Sequence, residues 1–341
     1  MKQKKVTFAD IAAYTGFSKT TISRYFNNPD SLTLENQEKI AHALDVLGYQ
    51  ENKLAKVLAN GKSEFVGIII PNLYLHYYSE MLNQLLSTYE KYNYKFLVFI
   101  GNNKKEIEEK YIHELMAYKI EGLIVLSNTI SSEELASYKL PVVTIERECD
   151  HVCSVSTDNY LGGVQATSLL IRNKCDVILH INSIFPDTLP TYGRIRGFED
   201  ICNEHHVVHE LIQRNLGNTY QETLTQLKNI FNEIEEKYPS QKKGVFLAND
   251  TYASMFLNLI FQKYGKLPKD YQIVGFDDSP IASEAILPIT TVGQQIDIIA
   301  QTAMELLVLQ MNEMKKRKPA PLKEPVHKQI TPVLIRRNTT D

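Results

Sequence analysis

Eight polar side chains stand directly behind short apolar runs, where they can converge on one small molecule. Glu146 and Arg147 follow "VVTI", Asn182 follows "VILHI", Asn249 and Asp250 follow "GVFLA", Asp277 and Asp278 follow "IVGF", and Gln294 follows "TTVG". Carboxylates accept hydroxyl protons and amides both donate and accept. With the Arg194 guanidinium and the rings of Tyr74, Tyr77 and Tyr192, the set suits a small polyhydroxylated ligand. For Asp250 the competing reading is a helix N-cap. A second constellation lies near the N-terminus in "SKTTISRYFNN". There Lys19, Thr20, Ser23 and Arg24 share the exposed side of a predicted helix and can donate to phosphates and base edges.

The elements that must hold these residues follow from periodicity. Thr7 is the expected N-cap of a helix carrying Phe8, Ile11 and Ala12 inward; Gly16 interrupts it, and a second helix restarts at Ser18 with Ile22 inward. A third, capped by Thr33 and ended by Gly48, presents Ile40, Ala43, Leu44 and Leu47. The pair reads as a helix-turn-helix. From Phe65 onward, β-rich runs at 66–70, 95–100, 122–126, 142–145, 177–181, 244–249 and 273–277 alternate with amphipathic stretches near 77–92, 104–118 and 131–138. A long helix is expected over 294–314, and "TPVLIRR" as a closing strand. Such alternation predicts parallel sheets with helices on both faces, and two sets predict two subdomains. Ligands of open parallel sheets sit beyond the carboxyl ends of the strands, where the polar set is.

Composition narrows the function classes. No apolar run approaches the ~20 residues that span a bilayer, and "MKQKKVTFAD" has no signal-peptide core, so a cytoplasmic location is expected. Four cysteines (Cys149, Cys153, Cys175, Cys202) are too few for a disulfide framework in 341 residues. The net charge is −3, yet residues 1–60 hold eight Lys or Arg against six acids. "GKS" at 61–63 fails as a P-loop because Lys56 stands where the first glycine belongs. Cys202, His205 and His209 in "CNEHHVVHE" raise a metal reading, set against the simpler one of a surface helix ending there. No catalytic residue, metal or cofactor is expected.

Taken together, "VTFADIAAYTGFSKTTISRYFNN", "LGYQENKLAKVLANG", "VGIIIPNL", "EGLIV", "TDNYLGG", "YGRIRGF", "AND", "VGFDD" and "TTVGQ" resemble the LacI/GalR family of bacterial transcription repressors along nearly the whole chain. The resemblance implies an all-α helix-turn-helix headpiece over 1–50 and a hinge helix and linker over 51–62. It also implies an α/β core of two doubly wound parallel-sheet subdomains, similar to periplasmic sugar-binding proteins. The first subdomain is expected over 63–163, completed by about 293–325; the second over 164–292, completed by about 326–337. By position, Lys19 and Thr20 would read bases, while Thr7, Ser18, Thr21, Ser23, Arg24 and Asn27 would hold phosphates or support the recognition helix. Asn52 joins the DNA-contacting set, and Leu58 would enter the minor groove. Glu146, Arg194, Asn249, Asp277 and Gln294 fall on effector-contacting positions. The implied partners are double-stranded operator DNA, a sugar, sugar phosphate or sugar acid as effector, and a second copy joined through the core, with no membrane.

Three departures stand out. Glu51 replaces the proline that usually opens the hinge helix, Glu146 stands where aspartate is frequent, and the chain has no tryptophan on which a sugar could stack. Tyr220 or Phe185 would have to substitute. A sugar-binding protein without operator control is the alternative function.

Overall fold

The computed structural model describes residues 6–50, 63–147, 150–317 and 324–341. The hinge helix expected over 51–62, with Glu51, Asn52 and Leu58, lies outside the described residues. The chain divides into two compact units, residues 1–62 and 63–341.

In the first unit, helices α1 (Phe8–Thr15), α2 (Lys19–Asn27) and α3 (Leu34–Leu47) enclose Ile11, Ile22, Ile40 and Ala43. Each end is set locally. Thr7 and Asp10 form a capping box, Ser18 accepts from the Thr21 amide, and Thr33 accepts from the Asn36 amide. Gly16 (φ 77°) turns α1 into α2 through left-handed backbone that a side chain would resist. Phe8 stacks on Phe26 with ring centroids 5.3 Å apart, joining the two helices.

The second unit contains two six-stranded sheets. In chain order the elements of its first part are β1 (Phe65–Ile70), α4 (His76–Ser87), α5 (Tyr89–Tyr92), β2 (Lys95–Ile100), α6 (Lys105–Ala117), β3 (Gly122–Val125), α7 (Ser132–Ser137), β4 (Val142–Ile145) and β5 (Cys153–Thr157). Then come α8 (Asn159–Arg172), β6 (Val177–Ser183), α9 (Gly193–Glu204), β7 (His209–Arg214), α10 (Tyr220–Lys237), β8 (Lys243–Leu247), α11 (Asp250–Tyr264), β9 (Tyr271–Asp277), α12 (Pro280–Glu284) and β10 (Thr290–Gly293). Helix α13 (Ile296–Met314), β11 (His327–Ile330) and β12 (Val333–Ile335) complete the chain. The first sheet runs β11-β5-β4-β3-β1-β2, all parallel; the second runs β12-β10-β9-β8-β6-β7, with β12 antiparallel to β10.

Both faces of each sheet are covered, which is why the strands read as unbroken apolar runs. Ile68 and Ile70 pack with Met81, Leu85, Ile299 and Leu307 on one side, and Ile69 with Ile112, Leu115 and Leu135 on the other.

The crossings between subdomains differ from those expected. The chain leaves the first sheet at Asp158, not after 163, because α8 packs on β6, β8, β10 and β12 of the second sheet. It returns at Gln294–Gln295, and it leaves again between Ile330 and Val333 rather than at 326, since His327–Ile330 pairs with β5. Strands β5 ("CSVST"), β7 ("HELIQR") and β11 ("HKQI") gave no apolar run; register against neighbours forms them. Among the described residues no helix is long and apolar enough to cross a membrane.

Glycines let α8 and α9 touch along their backbones. A Cβ on Gly163 would lie 2.4 Å from the Arg194 carbonyl oxygen, and one on Gly197 would lie 2.3 Å from the Tyr160 carbonyl oxygen. We expect Gly163→Ala to force the helices apart and destabilise the core by about 1–3 kcal/mol; an unchanged urea midpoint would refute this packing.

Candidate functional site

On the first unit, α2 exposes Lys19, Thr20 and Arg24, whose side chains form its outward face. The other expected contacts are committed within the unit. The Thr7 hydroxyl donates to Asp10 at 2.6 Å, Ser18 caps α2 and lies 2.9 Å from the Thr21 hydroxyl, and the Asn27 amide donates to the Ser23 carbonyl (3.0 Å) and hydroxyl (3.2 Å). Thr7 thus fixes the start of α1, and Ser18, Thr21, Ser23 and Asn27 shape the helix that carries the other three.

On the second unit, the strand ends of both sheets meet in one chain of hydrogen bonds. Glu146 leaves β4 in left-handed backbone (φ 55°) and accepts from the Thr157 amide on one oxygen and, at 2.8 Å, from the Asn159 side chain on the other. Asn159 Oδ1 accepts from Arg194 Nε at 2.7 Å, and Arg194 Nη1 donates to the Ala248 carbonyl at 2.6 Å. The guanidinium lies 3.6 Å from the Phe276 ring centroid, and Gly162 leaves the space that ring occupies. In the other direction, the Thr157 hydroxyl donates to Gln294 Oε1 at 2.7 Å, and Gln294 Nε2 donates to Asp277 Oδ1 at 2.5 Å. All six side chains are buried.

Charge inside this enclosure is costly. Burial pushes the Asp277 carboxyl up to about 7, with Arg194 and the Gln294 bond opposing and Glu146 adding to the rise. The Tyr77 hydroxyl is buried without a hydrogen-bond partner, and its pKa is raised by burial first and then by the charges of Glu146 and Asp277. A buried unpaired hydroxyl among carboxylates is what a ligand's oxygen would complete.

Of the expected effector contacts, the structure therefore joins Glu146, Arg194, Asp277 and Gln294, and it buries the Tyr77 hydroxyl unpaired. Asn249 caps α11, accepting from the Tyr252 amide at 2.8 Å. Tyr74 interacts with Tyr252, whose hydroxyl lies 3.4 Å from the Ser183 hydroxyl. Tyr192 meets Phe185 and Arg196 instead. Asp250 is a brace: it accepts from Thr291 Oγ1 at 2.6 Å and from the Ser279 amide at 2.9 Å, tying β10 and the β9–α12 turn to α11. Asn182 pairs with its own neighbours, Ser183 and His180. Burial pushes His180 down to about 3, so the ring is neutral, donating Nδ1–H to the Phe246 carbonyl and accepting from Asn182. The residues overlooked are Thr157 and Asn159. Their sequence signal was the motif "TDNYLGG", in which they stand on either side of the Asp158 that caps α8.

The subdomains also touch at the outer edge of the cleft. The His76 amide donates to Thr251 Oγ1 at 3.0 Å, and the Asn103 amide donates to Asn218 Oδ1 at 3.2 Å.

Comparisons with known proteins match stretches of both units. Residues 168–340 match the periplasmic binding protein-like domain, and residues 7–52 match the lacI family of bacterial regulatory proteins. The chain belongs to the LacI family of bacterial regulatory proteins. It is 26% identical to the sucrose operon repressor of Streptococcus mutans, over 88% of this chain and 91% of that one, and 26% identical to the ribose operon repressor of Bacillus subtilis, over 89% and 90%. The fold is that of the Lac repressor dimer bound to operator and the anti-inducer ONPF, with a TM-score of 0.80 at 21% identity over 99% of both chains.

This LacI-family protein is thus a DNA-binding transcriptional regulator. The metal reading of its histidine stretch does not fit. Cys202 is buried in α9, His205 ends that helix and His209 opens β7, and no cluster among the described residues could hold a metal ion.

The buried carboxyl supplies a test of the network. The fold prefers protonated Asp277, a contribution that is whole below its ordinary 3.8 and is lost as pH rises through about 7. Asp277→Asn keeps the acceptor for Gln294 and removes the charge. We expect it to stabilise the core at pH 8 by roughly 1–3 kcal/mol, more than at pH 5. Thermal melts at the two pH values check this; a destabilised or pH-indifferent variant would contradict the burial of charge.

Proposed function

We propose that this LacI-family protein is a cytoplasmic, homodimeric repressor of carbohydrate-utilisation genes whose affinity for double-stranded operator DNA is changed by a sugar or sugar derivative. The observation that carries the reading is the buried chain Asp277–Gln294–Thr157–Glu146–Asn159–Arg194, built from strand ends of both sheets and the first turns of α8 and α9. A ligand inserted there touches both subdomains at once, so its binding energy depends on their separation. A ligand shifts such an equilibrium by its differential affinity for the two arrangements, with coupling of typically 1–3 kcal/mol.

Two carboxylates and a hydroxyl suit the hydroxyls of a sugar, in keeping with relatives named for sucrose and ribose operons. Arg194 offers less than a free guanidinium would. Its Nε and Nη1 are engaged by Asn159 and Ala248 and its face by Phe276, so replacing it with lysine would disturb any ligand, charged or neutral. Asp277 is the better discriminator. Self-association through the core is supported by Leu73, Leu86, Tyr89 and Ile100, large apolar side chains exposed on β2 or on segments flanking it in the chain. The exposed Lys19, Thr20 and Arg24 favour operator control over sugar binding alone.

Calorimetry with sucrose, ribose, gluconate and glucose 6-phosphate, repeated with operator fragments, tests the effector site. We expect a neutral sugar to bind wild type, to change operator affinity, and to lose about tenfold or more in Asp277→Asn, an unpaired hydroxyl costing about 1–3 kcal/mol. Ligands that bind wild type and variant equally, or without altering operator affinity, would overturn the assignment.

The DNA face has its own expectation. Lys19→Ala and Thr20→Ala alter sequence preference, each lost base contact costing about 1–3 kcal/mol. Arg24→Ala weakens all sequences alike and flattens the salt dependence. Binding to a panel of operator variants decides; unchanged preference in both of the first two variants sinks the reading.

A further inference from the structure

Two consecutive aspartates leave β9 in left-handed backbone, with φ 115° at Asp277 and 55° at Asp278. Neither is glycine, so sterics within the turn oppose the conformation and contacts from outside must hold it. Gln294 engages the Asp277 side chain, but it does not hold the next residue. Asp278 is held by Arg337, whose Nη2 lies 2.6 Å from Asp278 Oδ1. The guanidinium is itself fixed. Its Nη1 donates to the Ile289 carbonyl at 3.1 Å, and the Arg337 backbone amide donates to the Thr290 hydroxyl at 2.8 Å. Gly293 makes room, since a Cβ there would lie 3.1 Å from that of Asp278. Arg337 arrives two residues after β12, whose antiparallel register on β10 (Thr291 opposite Ile335) sets where the guanidinium falls.

We infer that Asp278 and Arg337 are a positioning pair, which holds the strand-end turn so that the Asp277 carboxyl meets Gln294 in the cleft. Adjacent aspartates thus divide the work: one faces the cleft, and the other anchors the turn to the last segment of the chain. The pair's importance for regulation rests on the reading of Asp277 as an effector contact; its effect on the Asp277 carboxyl does not.

Carboxyl ¹³C NMR of the full-length protein, labelled at aspartate, reads that effect without any ligand. Asp277→Asn identifies the resonance, which we expect to titrate at about 7 in wild type, since burial raises this carboxyl. Loss of the Arg337 cation acts through its field to raise a nearby carboxyl's pKa, whereas loss of the Asp278 anion lowers it. Loss of positioning lets water reach Asp277 and lowers it in both cases. We expect Arg337→Gln and Asp278→Asn each to bring the midpoint down by about one unit or more toward ordinary carboxylate values, and Arg337→Lys, which keeps a cation for Asp278, to restore most of it. Opposite shifts in the first two variants, or none, would overturn the pair. If Arg337→Gln does not fold, an unchanged midpoint in Asp278→Asn suffices to do so.

A calorimetric arm with sucrose and ribose separates the two readings. A sugar that binds wild type should lose affinity in Arg337→Gln about as it does in Asp277→Asn. If Asp277→Asn leaves sugar binding intact while the midpoints fall as expected, the effector reading fails and the positioning pair stands.

Discussion

Three ionisable groups of the cleft, Glu146, Asp277 and Arg194, are buried where water cannot solvate them, and each must find its partners in the protein. The remaining cleft geometry follows from that constraint. No direct ion pair joins Arg194 to either acid; the guanidinium reaches Glu146 through Asn159, and Asp277 reaches Glu146 through Gln294 and Thr157. Amides and a hydroxyl between the charges spread the field over donors with fixed geometry. Because Thr157 and Glu146 lie in or just after strands of the first sheet, Asp277 ends a strand of the second and Arg194 opens α9 of the second subdomain, satisfying these charges also joins the subdomains.

Close backbone packing makes the arrangement possible. Gly162 admits the Phe276 ring, Gly163 lies against the Arg194 backbone, and Gly197 lies against Tyr160, so α8 and α9 approach until Arg194 can stack on Phe276 and still reach Asn159. Left-handed residues do comparable work at the strand ends, where Glu146, Asp277 and Asp278 turn the chain sharply. Strain at such positions persists when neighbours over-determine the geometry. Here the neighbours come from distant segments: Thr157 for Glu146, Gln294 for Asp277 and Arg337 for Asp278.

The DNA-facing unit is built with the opposite economy. The hydroxyls of Thr7, Ser18 and Thr33, the Asn27 amide and the Asp10 carboxylate bond within three or four residues of themselves, fixing helix ends locally. Lys19, Thr20 and Arg24 therefore project from a helix whose start and packing are already determined. A surface of this kind can be rigid and small, whereas the cleft depends on long-range pairing and is sensitive to relative movement of the sheets.

What the sequence determined by itself was local or repetitive. Thr7, Ser18 and Thr33 as caps, Gly16 and Gly48 as stops, and the apolar runs of both sheets were legible because capping acts over three residues and burial on two faces leaves an unbroken pattern. Family motifs located the polar strand ends as a set. Tertiary structure decided which member does what. Asp250 and Asp277 follow similar runs, yet one braces β10 and the other faces the cleft, because sheet register places Thr291 and Ser279 beside the first and Gln294 beside the second. Strands β5, β7 and β11 were hidden for a related reason, their polar residues being held in extended form by neighbouring strands rather than by their own pattern. Pairing partners 100 or more residues apart are fixed by topology, and no short-range pattern encodes the distance between them.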